Sequence, residues 1–148
     1  MKPAPFEYDA PTSLAGALDL KHEHGEDAKP LAGGQSLIPA MNFRVAQPTR
    51  LVDLNGLEEL RYIREEDGEL HIGAMTVQAA VERSELVQSA HPLITETIQY
   101  VAHPQIRNRG TFGGSLAHAD PAAELPVVAL ALNARFKAEK KGSARWVE

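Results

Sequence analysis

A chain of 148 residues with 43% hydrophobic and 24% charged residues has globular composition, too apolar for a disordered tail and sufficient for one domain's worth of core. It contains no cysteine, which excludes disulfides, a thiol nucleophile, a thiolate zinc site and any iron–sulfur cluster held by this chain alone. The net charge of -5 hides a short basic end: residues 135–148 hold five Lys/Arg against two Glu, leaving -8 on the rest, and no other basic cluster marks a nucleic-acid surface.

In chain order, Phe6–Asp9 reads as a strand. Thr12 or Ser13 then caps a helix carrying Leu14, Ala17 and Leu18, which Gly25 stops. Ala28–Ala32 is a short apolar strand running into Gly33-Gly34-Gln35-Ser36 and a short helix through Leu37 and Met41. Arg50–Leu54, closed by the turn pair Asn55-Gly56, completes a β-α-β beginning. Leu60–Arg64 and Leu70–Ala74 form a hairpin around Asp67-Gly68. Thr76 caps a helix with Val77, Ala80 and Val81, and Pro92 opens another with Ile94, Ile98 and Val101.

From His103 to Asp120 the periodicity breaks down, and a long loop is expected, its embedded apolar residues arguing for function rather than disorder. Asp120-Pro121 resembles a helix start, with Leu125, Val128, Ala129 and Leu132 at helical spacing and Pro126 restarting or kinking that helix. Arg135–Ala138 and Ala144–Val147 are two arms of a hairpin around Lys141-Gly142-Ser143. No run approaches the ~18 apolar residues of a membrane span, and MKPAPFEYDAPTS lacks a secretory apolar core, so a cytoplasmic protein is expected.

Two segments could carry chemistry. In Ala32-Gly33-Gly34-Gln35-Ser36, glycines between strand and helix let backbone N–H groups approach an anion such as phosphate; the same glycines also read as a plain turn. The segment lacks the Lys-Ser/Thr of a P-loop and the three-glycine spacing of the usual dinucleotide fold. Thr111-Phe112-Gly113-Gly114-Ser115 is a second such segment, again readable as a tight turn, and two of them suit a ligand with two phosphates. Arg107 and Arg109 could reinforce that site or clamp neighbouring carbonyls and carboxylates. Glu124 could accept from ribose hydroxyls or sit exposed in a helix's first turn. His22-Glu23-His24 and His118-Ala119-Asp120 lack a third ligand, so no metal site is expected, and neither Ser36 nor Ser115 sits in a G-x-S-x-G elbow.

AGGQSLIPAMNFRVAQPTRLVDL (Ala32–Leu54) and HPQIRNRGTFGGSLAHADPAAELP (His103–Pro126) closely resemble the FAD-binding medium subunit of the molybdenum hydroxylases, the carbon monoxide dehydrogenase and xanthine dehydrogenase family; the likeness runs from Phe6 to about Val147. The resemblance implies an α+β fold, the FAD-binding domain of the vanillyl-alcohol-oxidase-like (PCMH) type, with a small α/β subdomain and a second subdomain containing an antiparallel sheet. Residues 1–56 correspond to the first and 57–148 to the second, incomplete at its C-terminus because family subunits are nearly twice this length. It implies non-covalent FAD, with Ala32, Gly33, Gly34, Gln35 and Ser36 as the pyrophosphate loop, Thr111, Phe112, Gly113, Gly114 and Ser115 as a second loop under the diphosphate, and Glu124 near the cofactor. Phe112 departs from the family's usual aliphatic residue and Ser115 from its frequent Asn, which leaves the flavin contact open in detail.

By the same resemblance, molybdopterin sits on a large partner subunit and 2Fe–2S clusters on a small one, and a dimer of heterotrimers is the expected assembly. This chain then transfers electrons through FAD to an acceptor, with no catalytic residue of its own. The competing reading is a truncated, flavin-free scaffold serving only in assembly. A flavin oxidase acting on its own substrate would require a flavin-linked His and a substrate domain, and neither is located.

Overall fold

The computed structural model describes all of residues 1–148, which divide into two compact units, Met1–Glu58 with Arg135–Glu148, and Glu59–Ala134. In the first unit, strands β1 (Glu7–Asp9), β2 (Ala28–Leu31) and β3 (Arg50–Asp53) form a parallel sheet in the order β1-β3-β2. Helix α1 (Leu14–His24) connects β1 to β2, and α2 (Leu37–Asn42) connects β2 to β3, the expected β-α-β beginning. Ser13 caps α1 by accepting from the Gly16 N–H at 3.2 Å, and Gly25 ends it at φ 54. β3 is paired on both edges, so its Leu51 and Val52 are buried, together with Ala17, Ala28, Met41 and Leu57.

β6 (Phe136–Lys140) and β7 (Ser143–Val147) form the expected C-terminal hairpin, turning at Gly142 with φ 71. Sequence reading put this hairpin with residues 57–134. By packing it groups with the first unit, because β6 lies against α1 and Lys141 Nζ pairs with Asp19 Oδ1 at 2.9 Å.

The second unit opens with the antiparallel hairpin β4 (Ile63–Glu66) and β5 (Glu69–Ile72), turning through Asp67 and Gly68, both at positive φ. Its helices are α3 (Gln78–Glu82), α4 (Glu85–Ala90), α5 (Pro92–Ile98), α6 (Pro104–Arg107), α7 (Phe112–His118) and α8 (Glu124–Ala131). The core gathers Val81, Val87, Ile94, Ile98, Leu125 and Val128, with Ile63, Leu70, Ile72 and Phe112 packed against it. At about 1.5–3 kcal/mol for each such side chain, this cluster is the main force holding the six short helices, none of which would be stable alone.

Several local features depart from the sequence expectation. Thr76 is no cap: its hydroxyl accepts from the Tyr62 N–H at 3.1 Å and donates to the Tyr62 carbonyl at 2.9 Å, tying α3 to the hairpin. Ser84 breaks the helical run by capping α4, accepting from the Val87 N–H at 3.3 Å. The expected long loop at 103–120 instead contains α6 and α7. Asp120 closes a turn by accepting from the Ala122 N–H at 2.9 Å, and α8 starts only at Glu124, so Pro126 falls in its first turn, where a missing N–H costs no helical bond. No helix is long and apolar enough to cross a membrane.

Candidate functional site

The segment after β2 is built to present backbone donors. Three of its carbonyls are held. Asn55 Nδ2 donates to the Ala32 carbonyl at 2.9 Å, Gln35 Nε2 to the Gly33 carbonyl at 2.8 Å, and the Ile38 N–H to the Gly34 carbonyl at 3.1 Å. A trans peptide points its N–H opposite its C=O, so each of these bonds turns the next N–H, that of Gly33, Gly34 or Gln35, away from the group that holds the carbonyl. None of the N–H groups of Gly33, Gly34, Gln35 and Ser36 meets an acceptor within the protein. Four consecutive unpaired donors on half-buried or exposed backbone form a nest that suits an anion with several oxygens, such as a diphosphate.

Gly34 adopts φ 72, a conformation that favours glycine, and a Cβ there would press on Ile38 Cγ1 at 3.1 Å. Gly33 is not at positive φ.

Beneath the nest lies a polar chain in the same unit. The Tyr8 hydroxyl donates to Asp53 Oδ2, and Asp53 Oδ1 accepts from Asn55 Nδ2 at 2.6 Å and from the Asn55 N–H at 2.9 Å. The hydrogen bond to Asp53, with smaller contributions from burial and from the carboxylate charge, raises the Tyr8 phenol above its ordinary value. The native state therefore holds this proton more tightly than the unfolded chain does. Its stabilising contribution is complete below the ordinary phenol pKa and is lost as pH rises through the native one. An alkaline titration of the phenolate absorbance, with that of Tyr8→Phe subtracted, should show Tyr8 ionising above pH 10.0, the ordinary value.

The second segment is different in kind. Thr111 is buried and caps α7, its hydroxyl accepting from the Gly114 N–H at 3.1 Å. The Phe112 N–H donates to the Thr76 carbonyl at 2.8 Å, that of Gly113 to Ala74 at 3.0 Å, and that of Ser115 to Thr111 at 3.2 Å. Every N–H from 112 to 115 is thus used internally, and this is a helix start rather than a nest. Phe112 packs on the core. A Cβ on Gly113 would sit 2.6 Å from Ala74 Cα, so this glycine serves a close backbone approach. Gly114 and Ser115 are half-buried. Glu124 is half-buried at the start of α8, a helix packed against α7.

Of the two arginines, Arg107 is engaged structurally. Its Nε and Nη2 donate to Glu82 at 3.0 and 3.3 Å, and its Nη1 to the Val101 carbonyl at 3.1 Å. Arg109 is exposed. No group of three His, Asp or Glu side chains is arranged to hold a metal ion.

Sequence reasoning passed over Asn55 as a turn residue. The signal for it was the parallel pairing itself: with Leu31 in register with Asp53, the residues following β2 and β3 emerge side by side at the carboxyl end of the sheet.

Residues 4–148 match the family model described as the FAD binding domain in molybdopterin dehydrogenase. The chain is 50% identical over 147 residues to the 6-hydroxypseudooxynicotine dehydrogenase complex subunit alpha of Paenarthrobacter nicotinovorans, covering 99% of this chain and 50% of that one. It is 46% identical over 147 residues to the carbon monoxide dehydrogenase medium chain of Hydrogenophaga pseudoflava, covering 99% and 51%. Among solved structures, carbon monoxide dehydrogenase from Hydrogenophaga pseudoflava superposes with a TM-score of 0.97 at 47% identity, over 99% of this chain and 51% of that one. Quinoline 2-oxidoreductase from Pseudomonas putida 86 gives 0.96 at 39% identity, with the same coverage. The chain spans about half the length of the curated relatives it matches.

Proposed function

The chain belongs to the family of FAD-binding domains of molybdopterin dehydrogenases, and on that premise we propose that it is the FAD-gripping part of an electron-transfer subunit in a molybdenum-containing hydroxylase or dehydrogenase complex. The observation that carries this reading is the row of four unpaired N–H groups at Gly33–Ser36, which fits the diphosphate of FAD without a cationic side chain in an acidic protein. FAD, when bound, supplies the interconversion of one- and two-electron transfer.

The protein's own residues then have distinct tasks. Ala32 and Gly33 give up their carbonyls to side chains, so that the amides of Gly33, Gly34, Gln35 and Ser36 converge on the diphosphate. In the other unit, Thr111, Phe112 and Gly113 fix the start of α7, while Gly114 offers a surface for close approach and the Ser115 hydroxyl offers a hydrogen bond. Glu124 accepts from ribose hydroxyls. Met1–Glu58 with Arg135–Glu148, and Glu59–Ala134, serve as the two cofactor-binding subdomains.

With no cysteine here, the electrons come from 2Fe–2S clusters on a small partner subunit, reduced in turn by a large molybdopterin subunit, in a dimer of heterotrimers in the cytoplasm. The names of the relatives support the multi-subunit part of this reading: they are subunits or chains of dehydrogenases for 6-hydroxypseudooxynicotine, caffeine and carbon monoxide.

The test is direct. Titration of the purified protein with FAD should give saturable uptake, with visible bands near about 370 and about 450 nm and release of the unmodified flavin by acid. A protein that remains colourless and takes up no FAD would overturn the proposal in favour of a flavin-free scaffold.

A further inference from the structure

We propose that Asn55 is a positioning residue for the anion nest, acting through the Ala32 carbonyl rather than on any ligand. The inference rests on the diphosphate reading of Ala32–Ser36. The Asn55 amide nitrogen faces two acceptors, the Ala32 carbonyl at 2.9 Å and Asp53 Oδ1 at 2.6 Å, and its two hydrogens satisfy both. Two oxygens facing one atom also fix which end of the amide is nitrogen, since the flipped orientation would set three oxygens together. Asp53 is itself held by the Tyr8 hydroxyl. A chain of side chains therefore runs from β1 through the end of β3 to the first peptide of the nest.

The consequence is steric as much as energetic. Gly33 follows a strand end and has the widest conformational freedom of any residue type, so the Ala32–Gly33 peptide could flip without penalty from a side chain. A flip would turn the Gly33 N–H away from the anion and present a carbonyl oxygen in its place. Of the three held carbonyls, Gly33's is tied by a neighbouring side chain and Gly34's by the helix backbone; only Ala32's is tied from a distant point of the sequence, 23 residues on. Asn55 thus links the nest to the sheet that carries it, much as outer groups orient the inner ligands of a metal site.

The exposed position of Asn55 makes the test clean, because the Asp53 bond to the Asn55 backbone N–H survives any substitution there. Asn55→Leu removes both donors, and Asn55→Asp replaces the nitrogen with an anionic oxygen facing the Ala32 carbonyl. In the absence of ligand, the N–H order parameter of Gly33 should lie near ~0.85 in the native protein and fall toward ~0.6 in both variants. The Kd for FAD, and equally for ADP as a flavin-free diphosphate, should rise about five- to tenfold in Asn55→Leu and further in Asn55→Asp.

A rigid Gly33 in Asn55→Leu, or a mobile Gly33 with unchanged Kd, overturns the positioning role. Failure of the underlying reading looks different: FAD would bind the native protein and Gly33→Asp equally well, whatever Asn55 does.

Discussion

Replacing Gly33 with Asp is expected to lower FAD affinity by more than about a hundredfold while leaving the fold intact. The carboxylate would stand at the start of the row of four unpaired N–H groups and compete for the donors that the diphosphate needs. It would also stand beside the phosphate charges. At an effective dielectric of about 20, one such pair at about 4 Å costs about 4 kcal/mol, and a loss of about 1.4 kcal/mol already corresponds to tenfold in Kd. The fold should tolerate the change because Gly33 is half-buried and not at positive φ, unlike Gly34 at φ 72. Gly33→Asn separates charge from bulk: it should recover at least about tenfold of the lost affinity, since it keeps the size and removes the Coulomb repulsion. The measurement is a flavin titration beside a circular-dichroism melt. A folded Gly33→Asp protein with native affinity would remove Ala32–Ser36 from the site.

That the glycine segment is legible in the sequence, while the role of Asn55 is not, follows from the range of the interactions involved. The Gly25 stop and the turns at Asp67-Gly68 and Gly142 are settled by residues within a few positions of each other, and each is where the sequence implies; Ser13 is one of the two hydroxyls it offers as a cap. α6 and α7 are four and seven residues long, too short for an apolar period to register, and Gly113 and Gly114 disfavour helix by propensity. α7 forms there because Thr111 caps it and Gly113 lets it press on the Ala74 backbone, a contact 39 positions away that no local rule contains. Thr76 shows the same limit from the other side. A hydroxyl ahead of an apolar run is a sound cap signal, but Tyr62 outcompetes the helix for it. The family likeness offers both segments as glycine loops at the diphosphate; the hydrogen bonds show one to be a row of unpaired donors and the other a closed helix start.

The strongest structural prediction concerns Arg107, which the sequence left open as either a phosphate ligand or a clamp. Its side chain is 11% exposed and that of Glu82 is 23% exposed, and the guanidinium spans Glu82 on α3 and the Val101 carbonyl. Glu82→Leu strands a buried cation with one carbonyl for company, so unfolding in urea should lose about 3 kcal/mol, a large share of an ordinary domain's stability. Removing the cation as well removes that penalty: Glu82→Leu/Arg107→Leu should recover at least about half of the loss, because a buried pair is readily replaced by apolar side chains of similar volume. Additive losses in the double variant would mean that the two side chains do not act as a pair. The same double variant tests the ligand role. An arginine spent on Glu82 contributes no charge to an anion, so the salt dependence of FAD binding should match that of the native protein. A flatter salt dependence in the double variant would return Arg107 to the site.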